Sequence, residues 1–495
     1  MTDGPASDAH QILFPQLPYD MTPRAKRATQ DVRLQQFVNR ATLQKDQGRR
    51  EVLSHWFGDQ TEPIRELAGQ IKQHTLDHLD YYLEMFSDAA TRAGAQVHYA
   101  RDGEQANAIC LDIARRYDCR LCVKSKSMVT EETHLVPRLE AIGCETVETD
   151  LGEFIIQLDR DAPSHIVTPM IHKDRVDTAL AFERELGVAY TEDPDELTGI
   201  ARQYLRQKYR RADLGISGAN FLIAETGSVV LCTNEGNGRF CTSAPKVHVV
   251  YAGIEKLIPT LGHLSVLLKV LARSSTAQPL TCYTHIMTGP KRSYEPDGPE
   301  QMHIVLIDNG RTKVLQESTR EMLRCIRCGA CLNACPVYRK VGGHAYGAVY
   351  SGPVGAVLTP IFKGLANYPD LPHASSLCGA CYEACPVKID IPKQLIQLRA
   401  QMTHRKINKR SERLFFGLWG ASLNHGLTYR IGGWMNRMLF RAKARIAGTL
   451  PGGDPYADHG WIDRLPGPIR GWTEQRDMPT PPRRSFRQWW KDRDA

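Results

Sequence analysis

The chain has 495 residues, enough for two to four domains, and 42% hydrophobic with 24% charged residues is an ordinary globular composition. Its formal charge of +8 is spread along the chain without a long basic run, which argues against nucleic-acid binding. The most apolar stretch, Leu261 to Ala272, is broken by His263 and Lys269, so no transmembrane span is expected.

The first twenty residues are polar and acidic, with no apolar core of a secretory signal. A cytoplasmic location is expected, where cysteines stay reduced. There are 14 cysteines: seven are scattered from Cys110 to Cys282, and seven fall between 325 and 385 in two tight groups, each ending in Cys-Pro. Ligand chemistry explains the second set better than disulfides do. The scattered set reads as small buried hydrophobes.

Residues 1–64 read as an N-terminal arm, with a basic patch at Arg24 to Arg27, followed by a helix over 27–47. A second helix is predicted over 62–93, with Gly94 as its stop. From Val97 onward strands and helices alternate. Strands are predicted at 96–100, 120–124 and 145–148, with helices over 104–117 and 127–141. Further strands are predicted at 221–224, 228–232, 246–252 and 303–306. The alternation predicts an α/β domain with a mostly parallel sheet over 65–310. A helix over 311–324 then leads into a cysteine-rich domain, 311–400, with a Gly/Pro-rich loop at 341–360. The C-terminal region, 401–495, is a basic helical stretch and a Pro/Trp-rich tail, read from Leu450 as an extended strap.

The first cysteine motif is Cys325-Ile-Arg-Cys328-Gly-Ala-Cys331-Leu-Asn-Ala-Cys335-Pro336. This is the run found in bacterial two-cluster ferredoxins. Three thiolates on a tight loop cap one cubane, Gly329 lets the backbone turn closely, and the fourth cysteine faces the other way. The second motif is Cys378-Gly-Ala-Cys381-Tyr-Glu-Ala-Cys385-Pro386, with Ser375 where a first cysteine would stand. The crossover rule then predicts one [4Fe–4S] cluster on Cys325, Cys328, Cys331 and Cys385. It leaves Cys335, Cys378 and Cys381 for a second, which is either [3Fe–4S] or [4Fe–4S] with a fourth ligand such as Ser375 or an exchangeable group. Zinc favours four ligands in two pairs; seven cysteines with two Cys-Pro endings do not fit it.

Three residues of the α/β part are candidates for a substrate or anion site. Glu225 lies between two apolar strands, where it would bind substrate, act as a base, or cap backbone N–H groups. Arg239 closes the Gly-rich Asn234 to Arg239, whose amides would cradle an anion or simply form a hairpin turn. Lys124, with Lys126, ends a strand where α/β sheets bind ligands; the alternative is solvated surface. His165 and His172 flank an apolar stretch and are expected to be structural, without metal-binding partners nearby. No Gly-rich dinucleotide fingerprint follows a strand, so a bound nicotinamide or flavin has no support.

Leu414, Leu418 and Trp419, then Leu423 and Leu427, recur at helical spacing with basic flanks. One reading is contact with a membrane surface and a quinone. The preferred one is packing against the cluster domain or a partner subunit.

The motifs Gly342-Gly343-His344-Ala345-Tyr346-Gly347 and Ser375 to Cys381 resemble the lactate-utilisation protein B family. So do Pro163 to Val167, Ser217 to Ser228, Asn234 to Arg239, Asp308 to Arg311 and Arg484 to Trp490. The likeness covers nearly the whole chain and is weakest over the first sixty residues. It implies an N-terminal α/β sheet similar to CoA transferases and sugar-phosphate isomerases, followed by an α-helical two-cluster ferredoxin-type domain. It also implies an iron–sulfur electron-transfer subunit of an L-lactate-oxidising system that feeds a respiratory acceptor. Two partner subunits are implied, one cysteine-rich and one smaller and α/β, with peripheral contact at the inner membrane face kept open. The competing readings are a redox-sensing module, or the same role for another 2-hydroxy acid such as glycolate.

Overall fold

The computed structural model describes residues 8–125, 127–446, 461–474, 476–482 and 484–493. Lys126 and residues 450–460 of the tail lie outside these. The chain divides into two units, one up to Ile407 and one from Asn408 on.

In chain order the strands of the first unit are β1 (Gln96–Ala100), β2 (Leu121–Ser125), β3 (Glu145–Glu148), β4 (Leu214–Ser217), β5 (Phe221–Ile223), β6 (Ser228–Thr233), β7 (Val247–Gly253), β8 (Leu257–Ile258), β9 (Tyr283–Met287) and β10 (Gln301–Ile307). Six of them form a sheet in the order β1-β10-β7-β4-β2-β3, parallel throughout. Helices on both faces bury it, as parallel strands require, and β2, β4 and β7 are buried along their whole length. A smaller sheet, β8-β5-β6-β9, packs beside it. The hairpin from β5 to β6 turns through Gly227 (φ 66), where a Cβ would sit 2.2 Å from the Ala90 nitrogen; only glycine fits both constraints.

Strand β4 is not among the strands predicted from the sequence. Gly215 and Ser217 disguise it, yet it lies between β2 and β7. Gly215 is there because a Cβ would approach the Cys241 carbonyl oxygen to 1.8 Å. The helix expected over 62–93 is broken at His78 into Thr61–Asp77 and Leu79–Arg92. The one expected over 127–141 is broken by left-handed His134 into Met128–Thr133 and Leu135–Ala141. The helix expected over 27–47 runs over Val32–Phe57 and is capped by the Asp31 side chain. The one expected over 311–324 shrinks to Arg311–Leu315 and a 3-10 turn, Arg320–Arg324.

The N-terminal segment is not a free arm. Tyr19, Met21 and Val38 are buried in one core with Tyr338, Tyr346 and the cysteine loops. The Tyr19 hydroxyl donates to the Ala345 carbonyl at 2.7 Å. Helix Thr61–Asp77 sends Arg65 to the carbonyls of Glu383 (2.6 Å) and Cys385 (2.8 Å), so the N-terminal helices brace the second cysteine loop.

The second unit contains helices Arg410–Leu423, Gly426–Ile446 and Phe486–Arg493. A short antiparallel pair, Trp461–Ile462 with Met478–Pro479, lies in the tail. Among the described residues, no helix is long and apolar enough to cross a membrane.

Candidate metal centre and the adjoining cavity

The two cysteine loops repeat one backbone. In the first, Arg327 (φ 60) and Gly329 (φ 77) are left-handed; in the second, Leu377 (φ 54) and Gly379 (φ 87) are left-handed at the equivalent positions. Each turn enters a short helix, Ala330–Ala334 or Ala380–Ala384. The repeat places Ser375 where the first loop has Cys325.

Cys325, Cys328, Cys331 and Cys385 line one small apolar pocket, with Gly329, Met322, Ile326 and Ile389 among its walls. Cys385 thus sits with the first loop, although it belongs to the second. Backbone N–H groups point at the sulfurs: Arg327 to Cys325 at 3.4 Å, Ile389 to Cys385 at 3.3 Å and Tyr338 to Cys335 at 3.4 Å. Burial pushes the thiols of Cys328, Cys331 and Cys385 up, and their mutual proximity pushes further. Such a group gives up its protons only to a cation placed among the sulfurs. The residues therefore fit a thiolate-held cluster, with N–H donors of the kind that set cluster potentials.

Cys335, Cys378 and Cys381 form the second group. Burial, then Cys335 and Cys378, push the Cys381 thiol up to about 12. Cys378 is exposed. The Ser375 hydroxyl oxygen accepts the Leu377 N–H at 3.1 Å. Of the scattered cysteines, Cys110, Cys119, Cys122, Cys144 and Cys241 are buried, Cys232 is half-buried, and Cys282 is exposed.

A buried chain of ion pairs joins the sheet to the first loop. Arg311, just after β10, meets both carboxylate oxygens of Glu132 at 3.0 Å. Its Nε donates to Glu255, which follows β7. Glu255 in turn accepts from Arg327 at 3.3 Å. The Tyr350 hydroxyl and the Asn309 amide complete Glu132, each at 2.6 Å. Burial alone would raise the Glu255 carboxyl, but Arg311, Arg327 and Lys256 overcome it and hold it at about 2. Gly253 makes the approach possible, since a Cβ there would lie 2.1 Å from Glu255 Oε2.

Beside this chain opens a cavity of about 440 Å³. It lies at the carboxyl ends of β2, β4 and β7, reached through Ser125, Gly218 and Lys256. Arg327 and Tyr350 supply the wall from the cysteine-rich part. Parallel α/β sheets bind ligands at this edge. Sequence reasoning pointed to the edge through Lys124 but missed Lys256, Arg327 and the cavity. The adjacency of Arg327 to two cysteines was the one available signal.

The three residues singled out from the sequence are not brought together. Lys124 is not solvated surface: it is fully buried and pairs with Glu148 at 2.7 Å and Glu131 at 3.1 Å. Glu225 is exposed and accepts the Leu261 N–H at 3.1 Å, the capping role. Asn234 to Arg239 leads into helix Asn237–Ser243, not a hairpin turn, and Arg239 is exposed; Asn234, Glu235 and Gly238 reach the cavity. His165 is buried, with Nδ1 accepting the Val167 N–H at 3.0 Å and Nε2 facing Asn333 at 3.2 Å. His172 does have partners: its ring meets Asp161 at 2.8 Å, and these two with His344 form a compact group. Lys173 bonds the same Asp161 oxygen at 3.0 Å and already balances its charge.

The fold and the thiol groups define an iron–sulfur protein built on an α/β domain. Family models match in the same order: the LUD domain over residues 83–307, the 4Fe-4S dicluster domain over 321–389, and the lactate utilisation protein B C-terminal region over 398–495. Lactate utilization protein B of Shouchella clausii is 42% identical over 95% of this chain and 96% of its own. The proteins of that name from Geobacillus kaustophilus and Bacillus subtilis are 44% and 43% identical, each over 90% of both chains. The chain belongs to the lactate utilization protein B family. A crystal structure of a DUF162 family protein from Deinococcus radiodurans aligns with 46% of this chain and 98% of its own, at 12% identity and a TM-score of 0.27, too loose to bear on the fold.

Proposed function

We propose that this protein carries electrons from L-lactate oxidation through two iron–sulfur clusters towards a respiratory acceptor. The observation that carries the proposal is the meeting of Cys385 with Cys325, Cys328 and Cys331 in one pocket. In this reading those four hold a [4Fe–4S] cluster. Cys335, Cys378 and Cys381 hold a second, as [3Fe–4S] or as [4Fe–4S] with a further ligand. Bound clusters supply one-electron transfer. The chain's own residues bury five of the seven thiolates, aim N–H groups at Cys325, Cys335 and Cys385, and brace the second loop through Arg65. The names of the relatives support lactate as the reductant, and two further subunits would complete the system.

The acceptor side of the proposal rests on the second unit. Residues 408–446 hold eight Lys and Arg against one Glu. Leu414, Leu418 and Leu427 are 65%, 65% and 72% exposed there. Exposed apolar side chains with basic neighbours suit an anionic lipid surface at which a quinone is reduced.

Anaerobic iron and sulfide analysis with EPR tests the cluster assignment. Adding L-lactate to the protein purified with its gene neighbours tests the function. Cluster reduction is expected; its absence under anaerobic conditions would overturn the lactate reading. Faster reduction by glycolate or D-lactate would reassign the substrate.

A further inference from the structure

We infer that the cavity at the carboxyl edge of the sheet binds a small monocarboxylate, held by Arg327 and Lys256. The inference rests on the proposed function for the choice of acid, a 2-hydroxy or 2-oxo acid.

Around Glu255 lie two buried guanidinium groups, Arg311 and Arg327, and two buried lysines, Lys72 and Lys256, which burial pushes down to about 7 and about 8, against two buried carboxylates, Glu132 and Glu255. Arg311 is satisfied on both sides, and the Lys72 ammonium donates to the Glu255 and Leu257 carbonyls. Arg327 and Lys256 are the two of these that line the cavity, and Glu255 meets Arg327 through one nitrogen only. The Cys325 sulfur lies beside both.

Hydrogen bonding points the same way. The Arg327 side chain is 8% exposed. Its Nη2 meets Glu255, and its plane lies over the Tyr350 ring at 4.8 Å. Its Nη1 is buried and has no oxygen acceptor among the described residues; the guanidinium's other neighbour is the Cys325 sulfur. Leaving a buried charged donor unpaired is costly, and an anion in the cavity would remove that cost. Lys256 is buried and lines the same space. A planar carboxylate suits a guanidinium edge with an ammonium next to it.

The remaining walls narrow the choice. Asp150 and Glu235 also line the cavity and repel a dianion such as phosphate more strongly than a monoanion. Ser127 and Asn220 offer partners for a hydroxyl or keto group. The site is next to Cys325, so a bound acid lies close to the first cysteine group.

The test is anaerobic calorimetry on the cluster-loaded protein with L-lactate, pyruvate and inorganic phosphate. Saturable one-to-one binding of lactate or pyruvate is expected, and phosphate should not compete. Lys256→Met and Arg327→Gln should each weaken binding by roughly tenfold or more, with iron content and visible absorption unchanged. If Arg327→Gln loses iron, Lys256→Met alone decides. No binding by the unaltered protein, unchanged affinity in Lys256→Met, or equal competition by phosphate would each overturn the inference. Lactate-driven reduction in the co-purified system is a separate readout. Reduction without binding in this cavity sinks the inference alone. Binding without reduction sinks the lactate reading alone.

Discussion

Nη2 of Arg327 lies 3.3 Å from Oε1 of Glu255, and this contact ties the first cysteine loop to the end of β7. Through Glu255 the loop is also coupled to Arg311 and Glu132, so four side chains from distant parts of the sequence share one buried charge network. Removing one partner of a buried pair strands the other. Glu255→Gln should therefore destabilise the protein by about 3–5 kcal/mol, read from urea unfolding of the loaded protein. A loss below 1 kcal/mol would show that Arg311 and Arg327 find other partners.

Ligand crossover makes an unusual demand. Cys385→Ala, in the second loop, should abolish the EPR signal of the cluster whose other ligands lie in the first loop. Cys378→Ala should change the second signal. Cys331→Ala should remove the first cluster and leave the second. Loss of both signals in every variant would mean that the two centres assemble as one unit.

Gly343 packs against the backbone of Ser164, where an added Cβ would lie 1.8 Å from the carbonyl oxygen. The same carbonyl accepts the Tyr338 hydroxyl at 2.6 Å. Gly343→Ala has to push two backbone segments apart. A stability loss of at least ~2 kcal/mol is expected, seen as a lower thermal midpoint.

A pH prediction comes from β7. Burial, with His303 close by, pushes His248 down to about 3, and its Nε2 lies 2.9 Å from Ser217 Oγ. In the unfolded chain this imidazole takes a proton below about 6.5; in the folded chain it does not until about pH 3. Stability therefore falls as pH drops through this window, by up to ~1.4 kcal/mol per unit for this residue. His248→Asn should flatten the slope of unfolding free energy between pH 7 and 5.5. An unchanged slope would assign the acid sensitivity elsewhere.

The apolar, basic helices of the second unit yield a binding prediction. The protein should sediment with vesicles containing anionic lipid at low salt and much less with neutral ones. Leu418→Asp with Leu427→Asp should abolish sedimentation while leaving cluster absorption intact. If binding to neutral and anionic vesicles is equally absent, a partner subunit is the better occupant of that face.

The cysteine loops were legible in sequence because a cluster fixes ligand spacing within a few residues, and the local backbone repeats as the motif does. The parallel sheet was legible from apolar runs such as Leu121–Ser125, with β4 hidden by Gly215. What could not be read was the meeting of Glu132, Glu255, Arg311 and Arg327. Each looks like surface charge in its own segment, and only the topology brings them together. Lys124 shows the same limit. A lysine closing an apolar strand gives no local sign that two glutamates wait beside it.

A cluster held as proposed by Cys325 and Cys385 would close a ring in the chain. With iron between them, residues 325 to 385 form a loop pinned at both ends, comparable to one held by a disulfide. Chain-entropy reasoning gives such a closure about 4 kcal/mol. The stretch at 341–360, expected as a loop but folded into a 3-10 turn, His344–Tyr346, and most of helix Gly352–Lys363, lies inside that ring, as do the contacts of Tyr19 with Ala345 and of Ser164 with Tyr338. The metal would then act as a fastener for the joint between the N-terminal helices and the sheet. An oxidant that strips iron would then open that joint to proteolysis.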